Sequence, residues 1–295
     1  MNTLFLEKEY DYLKPASLDE ALNILATKEN VKIFAGGTDL IVKLKTGGIE
    51  VMDYMMDINA IEELKEMRKG KNGGLHIGAT AKLWNIENDE RVHESFPALE
   101  KALKAMAAIS VRNMATLGGN FCNASPVADA VGPVMCYKGH VILNGKNGER
   151  AVNAEDFFLA PGVSVMEKDE MLTAVCLPQP KANTGHSFIK LGRVKSDIAK
   201  ISLTVIIERE GNKVADCRMA MGSVAARPLF LKDIADSLIG KEMTQALVEE
   251  TAQKISDFIK PISDNRTTAQ YRTDVAKVIA LDGIAEAWNT SGGTL

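Results

Sequence analysis

Cysteine is scarce: four in 295 residues (Cys122, Cys136, Cys176 and Cys217), with no two placed to form a Cys-x-x-Cys unit. A zinc or iron–sulfur site needs clustered soft ligands, so no metal is expected on this chain. The four histidines (His76, His93, His140 and His186) are scattered too, and the cysteines read as reduced, mostly buried thiols. Positive charge is not in surplus, with 35 lysines and arginines against 39 acidic residues and a net charge of −4. That balance argues against a nucleic-acid partner, which calls for a basic face. No apolar run approaches the roughly 20 residues of a membrane-spanning helix, so no membrane partner is expected. The stretch MNTLFLEKEYDYLKP carries Glu7, Lys8, Glu9 and Asp11 where a secretory signal would be apolar, and the expected location is cytoplasmic.

Apolar residues make up 46% and charged residues 25%, enough for a substantial core in two or three subdomains. SLDE at 17–20 is a capping box, and Leu18, Ala21, Leu22 and Leu25 continue with helical spacing to about Lys28. VKIF at 31–34 and VMDYMMDI at 51–58 read as strands, so 1–57 forms a small α/β subdomain. A second α/β subdomain is expected over 58–179. KNGG at 71–74 signals a turn, LHIGAT at 75–80 a strand, and a short helix follows around 81–88. Residues 97–109 read as one helix with Pro97 near its start. HVILNGKNGERAV reads as a hairpin, and EMLTAVCL at 170–177 as a further strand. PQPKANTG at 178–185 is the clearest boundary. Beyond it, 184–290 reads as an α+β domain: three strands (HSFIKLGR, KISLTVIIERE, NKVADCRMAMG), then helices over 228–239, 243–260 and 268–288. The tail SGGTL reads as disordered.

Two glycine loops share one design. VKIFAGGTD at 31–39 and MATLGGN at 114–120 each place a Gly-Gly pair after an apolar run. Thr38 and Asp39 follow the first pair; Thr116 and Asn120 flank the second. Paired glycines reach positive φ cheaply, and consecutive N–H groups can then turn toward one concavity that binds phosphate. Ser125-Pro126 reads as a helix start with Asp129 in the first turn, which would reinforce anion binding. Either loop alone could be only a turn. Neither is a GxxxxGK[ST] loop nor a GxGxxG opening a βαβ unit, which argues against a Walker-type NTPase and a Rossmann domain.

AGGTDL at 35–40, RNMATLGGNFCNASPVAD at 112–129 and FIKLGRVKSDIAK at 188–200, taken in order, resemble the FAD-binding subunit of the molybdenum hydroxylases. That family includes the xanthine, carbon monoxide and nicotinate dehydrogenases. The likeness covers nearly the whole chain and extends to YRTDVAKVIALDGIAEAW at 271–288. It implies an α+β protein with the vanillyl-alcohol-oxidase-type (PCMH-type) FAD-binding fold: two α/β subdomains with FAD between them. A C-terminal α+β domain, with a small antiparallel sheet and helices, caps the flavin. By the same resemblance, Lys32, Ile33, Phe34, Ala35, Gly36, Gly37, Thr38 and Asp39, with Thr116, Leu117, Gly118, Gly119 and Asn120, form the loops around the pyrophosphate. Asn123 and Asp129 contact FAD, Asp129 near the adenosine half. Leu172 lies beside the ring system and Lys190 reaches the isoalloxazine. Arg193 and Asp197 complete that motif. Position 106, aromatic in many relatives, is Met106 here, so no ring stacking is assigned to it.

The sequence offers no nucleophile–base constellation, and none is needed where a flavin carries the chemistry. The resemblance implies an electron-transfer subunit. A large partner would hold the molybdenum cofactor and a small partner [2Fe-2S] clusters, with NAD as acceptor. The loop forms look closer to xanthine dehydrogenase-type subunits, which suggests a purine substrate. The alternatives are a carbon monoxide or nicotinate dehydrogenase-type subunit, a stand-alone flavin reductase or oxidase of the same fold, and a non-enzymatic nucleotide-binding protein.

Overall fold

The computed structural model describes residues 9–49, 51–70 and 73–295. Residues 1–8 and the first half of the turn expected at 71–74 lie outside the described residues. The first unit is a three-stranded parallel sheet with Tyr54–Asp57 between Asp11–Leu13 and Val31–Phe34. The helix Leu18–Thr27 joins the two outer strands. Ser17 caps it as the sequence predicts, its Oγ accepting from the Glu20 N–H (3.2 Å), while the Glu20 carboxylate accepts from the N–H of Ala16 (2.8 Å), one residue before the cap. Ala21 and Leu25 bury in one cluster with Met56, Ile58 and Ile61.

A five-stranded antiparallel sheet forms the second unit, in the order Met67–Lys69, Leu75–Gly78, Met171–Leu177, His140–Gly145, Gly148–Asn153. The two NG pairs do close a hairpin. Met171–Leu177 is central and almost wholly buried, which is why it reads as an unbroken apolar run. Leu99, Leu103, Phe121 and Val134, from the helical stretch 83–136, build the core over this sheet.

The third unit is the four-stranded antiparallel sheet Thr184–Leu191, Ile201–Glu210, Lys213–Gly222, Leu229–Phe230. The helix Ala269–Thr290 packs on it, with Gln245–Phe258 alongside. The other face meets the second unit through the helix Val131–Cys136: a Cβ on Gly132 would stand 2.9 Å from Thr204 Oγ1. Gly132 therefore lets helix and strand approach closely.

Three expectations change. The helix over 97–109 stops at Lys104, and a separate turn of helix spans Ile109–Arg112. Between them Ala107 adopts φ 45°, because Arg112 Nη1 donates to the carbonyls of Met106 (2.8 Å) and Ala107 (2.9 Å). The helix over 228–239 shrinks to Lys232–Asp236, since Leu229 and Phe230 pair with Met221 and Ala220 as an edge strand. Sheet pairing overrides the local pattern there. The tail is ordered: Trp288 Nε1 donates to the Thr294 carbonyl (3.4 Å), and Gly293 packs on that indole, where a Cβ would lie 2.3 Å from Nε1.

Candidate functional site

The first glycine loop leaves the parallel sheet at Phe34 and enters the helix Leu40–Lys45. Gly37 has φ +70°, and a Cβ there would strike the Phe34 ring at 2.3 Å. Gly36 abuts the other subdomain: its Cβ would stand 2.4 Å from the Met114 carbonyl oxygen and 2.8 Å from Ala115 Cα. The two glycine loops are therefore in direct contact. Among the described residues, no hydrogen bond within the protein uses the N–H of Gly37, Thr38 or Asp39. These groups, ahead of a helix start, are open donors for an anion.

The second loop is built differently from the sequence expectation. Gly118 and Gly119 do not take positive φ; they lie in the first turn of the helix Leu117–Cys122. Thr116 caps that helix, its Oγ1 accepting from the Gly119 N–H (3.0 Å). The N–H of Leu117 goes to the Ala81 carbonyl (3.3 Å) and that of Gly118 to Ala79 (3.1 Å). Those amides are spent inside the protein. Glycine at 118 is required by close approach, since a Cβ would sit 2.6 Å from the Ala79 oxygen. Open backbone N–H groups thus lie on the first loop, while these amides of the second are used within the protein.

Between the loops lies a cleft of about 740 Å³. Lys32, Ile33, Ala35, Gly36, Gly37, Thr38, Asp39, Thr116, Gly118, Gly119, Asn120, Asn123, Asp129, Leu172 and Lys190 all line it. Phe34 and Leu117 do not; the Phe34 ring backs Gly37, and Leu117 is core. Met106, at the position the resemblance places near the flavin, also lines the cleft, and sequence reasoning missed Lys43 and Ala107. Lys43 Nζ crosses the cleft to Asn123 Oδ1 (2.6 Å). Arg193 lies beyond the strand end in an exposed ion pair with Asp197 (2.7 Å), and Asp197 borders the cleft.

Asp129 precedes the helix Val131–Cys136 rather than entering its first turn. Its Oδ2 is 2.7 Å from Lys190 Nζ, and both side chains are about 95% buried, at 6% and 5% exposed. Lys190 also donates to the Ala105 carbonyl (2.8 Å). Burial pushes the Asp129 carboxyl above its ordinary range, and the Lys190 charge offsets part of that rise. Asp129 and Lys190 thus meet at one place in the cleft wall. A buried pair of Arg112 and Glu87 (2.6 Å) backs the same wall, fixing the Met106 and Ala107 carbonyls.

The donor set fits a dinucleotide cofactor. Asn120 Oδ1 and Asp129 Oδ1 are buried side-chain oxygens without a partner in the protein, on residues that line the cleft. Buried polar atoms are rarely left open, so a ligand that donates hydrogen bonds is called for. Gly37, Thr38 and Asp39 line the same cleft with their N–H groups open. Fold and site together define a two-lobed nucleotide-binding protein with a third, C-terminal α+β unit.

The chain belongs to the family described as the FAD binding domain in molybdopterin dehydrogenase, whose model matches residues 8–180. Residues 186–287 match the CO dehydrogenase flavoprotein C-terminal domain. The glyceraldehyde dehydrogenase medium chain of Sulfolobus acidocaldarius is 32% identical, over 94% of this chain and 98% of that protein. The xanthine dehydrogenase FAD-binding subunit of Escherichia coli O157:H7 is 27% identical over 96% of this chain and 98% of its own length. Among solved structures, a carbon monoxide dehydrogenase from Hydrogenophaga pseudoflava superposes with a TM-score of 0.93 at 28% identity, covering 97% of this chain and 99% of that one. The protein is thus an FAD-binding oxidoreductase subunit of the molybdenum hydroxylase family. Among the described residues, no helix is long and apolar enough to cross a membrane.

Proposed function

We propose that this chain relays electrons in a cytoplasmic molybdenum hydroxylase, from [2Fe-2S] clusters on a small partner subunit to NAD⁺, with the substrate oxidised on a molybdenum-cofactor large subunit. FAD, when bound, supplies the redox chemistry of the relay. The chain's own residues bind and orient. The open N–H groups of Gly37, Thr38 and Asp39 and the Thr38 hydroxyl meet the pyrophosphate. Asn120 and Asp129 offer acceptors to cofactor N–H and O–H groups, and Lys190 keeps the Asp129 carboxylate compensated in its buried position. Leu172 and Met106 give apolar walls that exclude water. The observation that carries this reading is the convergence of both glycine loops on one cleft holding two unpartnered buried oxygens.

The relatives named above belong by name to glyceraldehyde, xanthine and carbon monoxide enzymes, and the motif forms favour xanthine or hypoxanthine for this one. The purified holoenzyme tests the reading. It should contain stoichiometric FAD, molybdenum and iron, and form NADH with hypoxanthine. A colourless chain that takes up no FAD at saturation would overturn the cofactor assignment. Turnover with an artificial acceptor but not with NAD⁺ would overturn the acceptor, and turnover with glyceraldehyde alone the substrate.

A further inference from the structure

The two glycine loops are joined a second time, behind the cleft. Lys82 pairs through its backbone with Thr116 in an isolated antiparallel bridge, and the next residue, Leu83, donates its N–H to the Ala115 carbonyl (2.9 Å). The backbone of Lys82 is therefore fixed to the second loop. Its Nζ donates to Asn59 Oδ1 (3.0 Å). Asn59 Nδ2 donates in turn to the Ala35 carbonyl (2.7 Å), the first residue of the other loop, and to Asp57 Oδ1 (2.7 Å). Two acceptors on one side and an ammonium on the other admit a single orientation of the Asn59 amide. The chain has no cis peptide among its described residues, so with the Ala35 carbonyl held by Asn59 the Gly36 N–H points away from Asn59. Neither Lys82 nor Asn59 lines the cleft.

We propose that Lys82 and Asn59 are positioning residues for cofactor binding: a bracket that sets the spacing of the two glycine loops and the orientation of the Ala35–Gly36 peptide. This inference rests on the FAD reading above. Lys82 acts through Asn59 and never touches the ligand. The bracket governs the pyrophosphate end of the cofactor, because both of its attachments are on glycine loops.

The test uses the full chain and three probes: FAD, ADP for the pyrophosphate half, and riboflavin for the ring half. Lys82→Met keeps the aliphatic stem and removes the donor. FAD and ADP affinity should fall together by about tenfold to a hundredfold, the loss of a hydrogen bond from a charged donor. Riboflavin affinity should stay near wild type even though the FAD-free chain melts somewhat lower, and Lys82→Arg should recover FAD affinity to within about threefold. Asn59→Asp, which still accepts from Lys82 Nζ but cannot donate to Ala35, should weaken ADP as well; it decides the matter if Lys82→Met does not fold. Wild-type FAD and ADP affinity in the folded variants would overturn the bracket while leaving the cofactor reading intact. So would a loss of riboflavin affinity equal to that of ADP, with no rescue by arginine. A wild-type chain that binds neither FAD nor ADP would overturn both.

Discussion

Asp129 and Lys190 come from different units of the fold and meet at 2.7 Å in the wall of the cofactor cleft. The aspartate precedes the helix Val131–Cys136 of the second subdomain; the lysine stands on the first strand of the third unit. Removing one member of such a pair strands the other without water. Lys190→Met should therefore cost about 3–5 kcal/mol of stability, read from urea unfolding, and lower flavin retention. Adding Asp129→Asn should return much of the stability but not the flavin affinity, because the carboxylate is lost from the cleft wall. Full recovery of both in the double variant would show that the pair is only a structural tie.

Gly36 and Gly119 looked equivalent in the sequence, and they are not. A Cβ at Gly36 meets backbone at 2.4 and 2.8 Å, which cannot yield without parting the subdomains. A Cβ at Gly119 meets only Thr116 Oγ1, at 2.9 Å, a hydroxyl that can rotate away at the cost of the helix cap. Gly36→Ala should abolish flavin retention and destabilise the chain, whereas Gly119→Ala should cost about 1 kcal/mol, the worth of a cap. Equal flavin content in the two purified variants would contradict this ranking.

How far the sequence foretold the site follows from the same loops. Glycine pairs and their neighbouring Thr, Asp and Asn are short-range signals, so both loops were legible, as were the Ser17 cap and the hairpin at 140–153. What could not be read was which constraint each glycine answers. Positive φ at Gly37 and close approach at Gly118 look alike in one dimension, because the Ala79 backbone that crowds Gly118 arrives from forty residues away. Arg112 stood inside the quoted motif with no assigned role. Its hydrogen bonds run back to Met106 and Ala107 and stop a helix that propensity alone would continue. The Lys82–Asn59 contact left no pattern at all, since it joins two polar residues of ordinary loops.

Arg112 yields a prediction of its own. Arg112→Lys keeps the charge beside Glu87 but loses the geometry that gathers two carbonyls, so the wall at Met106 and Ala107 should relax. The resemblance puts the ring beside position 106. The visible flavin band and the midpoint potential should therefore shift, while ADP affinity stays unchanged. Stability should fall by about 1–3 kcal/mol. Ala107→Gly relieves the positive φ and should stabilise by up to about 1 kcal/mol. An unshifted flavin spectrum in a folded Arg112→Lys variant would detach this pair from the cofactor.

His186 makes stability depend on pH at a second subdomain contact, away from the cleft. Burial, with a smaller effect from the Lys101 charge, lowers its pKa from 6.5 to about 4. The neutral ring accepts at Nδ1 from the Tyr137 hydroxyl (2.9 Å), which itself accepts from the Ala98 N–H (3.2 Å). Below pH 6.5 the unfolded chain binds a proton that the folded chain refuses, so stability falls on acidification down to about pH 4 and levels there. Between pH 7.5 and pH 5 this group should remove about 2 kcal/mol. His76 and His140 are also lowered by burial and add a background slope. The measurement is thus a difference: urea midpoints of wild type and His186→Gln at both pH values. Glutamine retains an acceptor for Tyr137 and does not titrate, so its pH slope should be shallower by that amount. Parallel slopes would mean that His186 takes up its proton alike in the folded and the unfolded chain, and that burial does not hold the ring neutral.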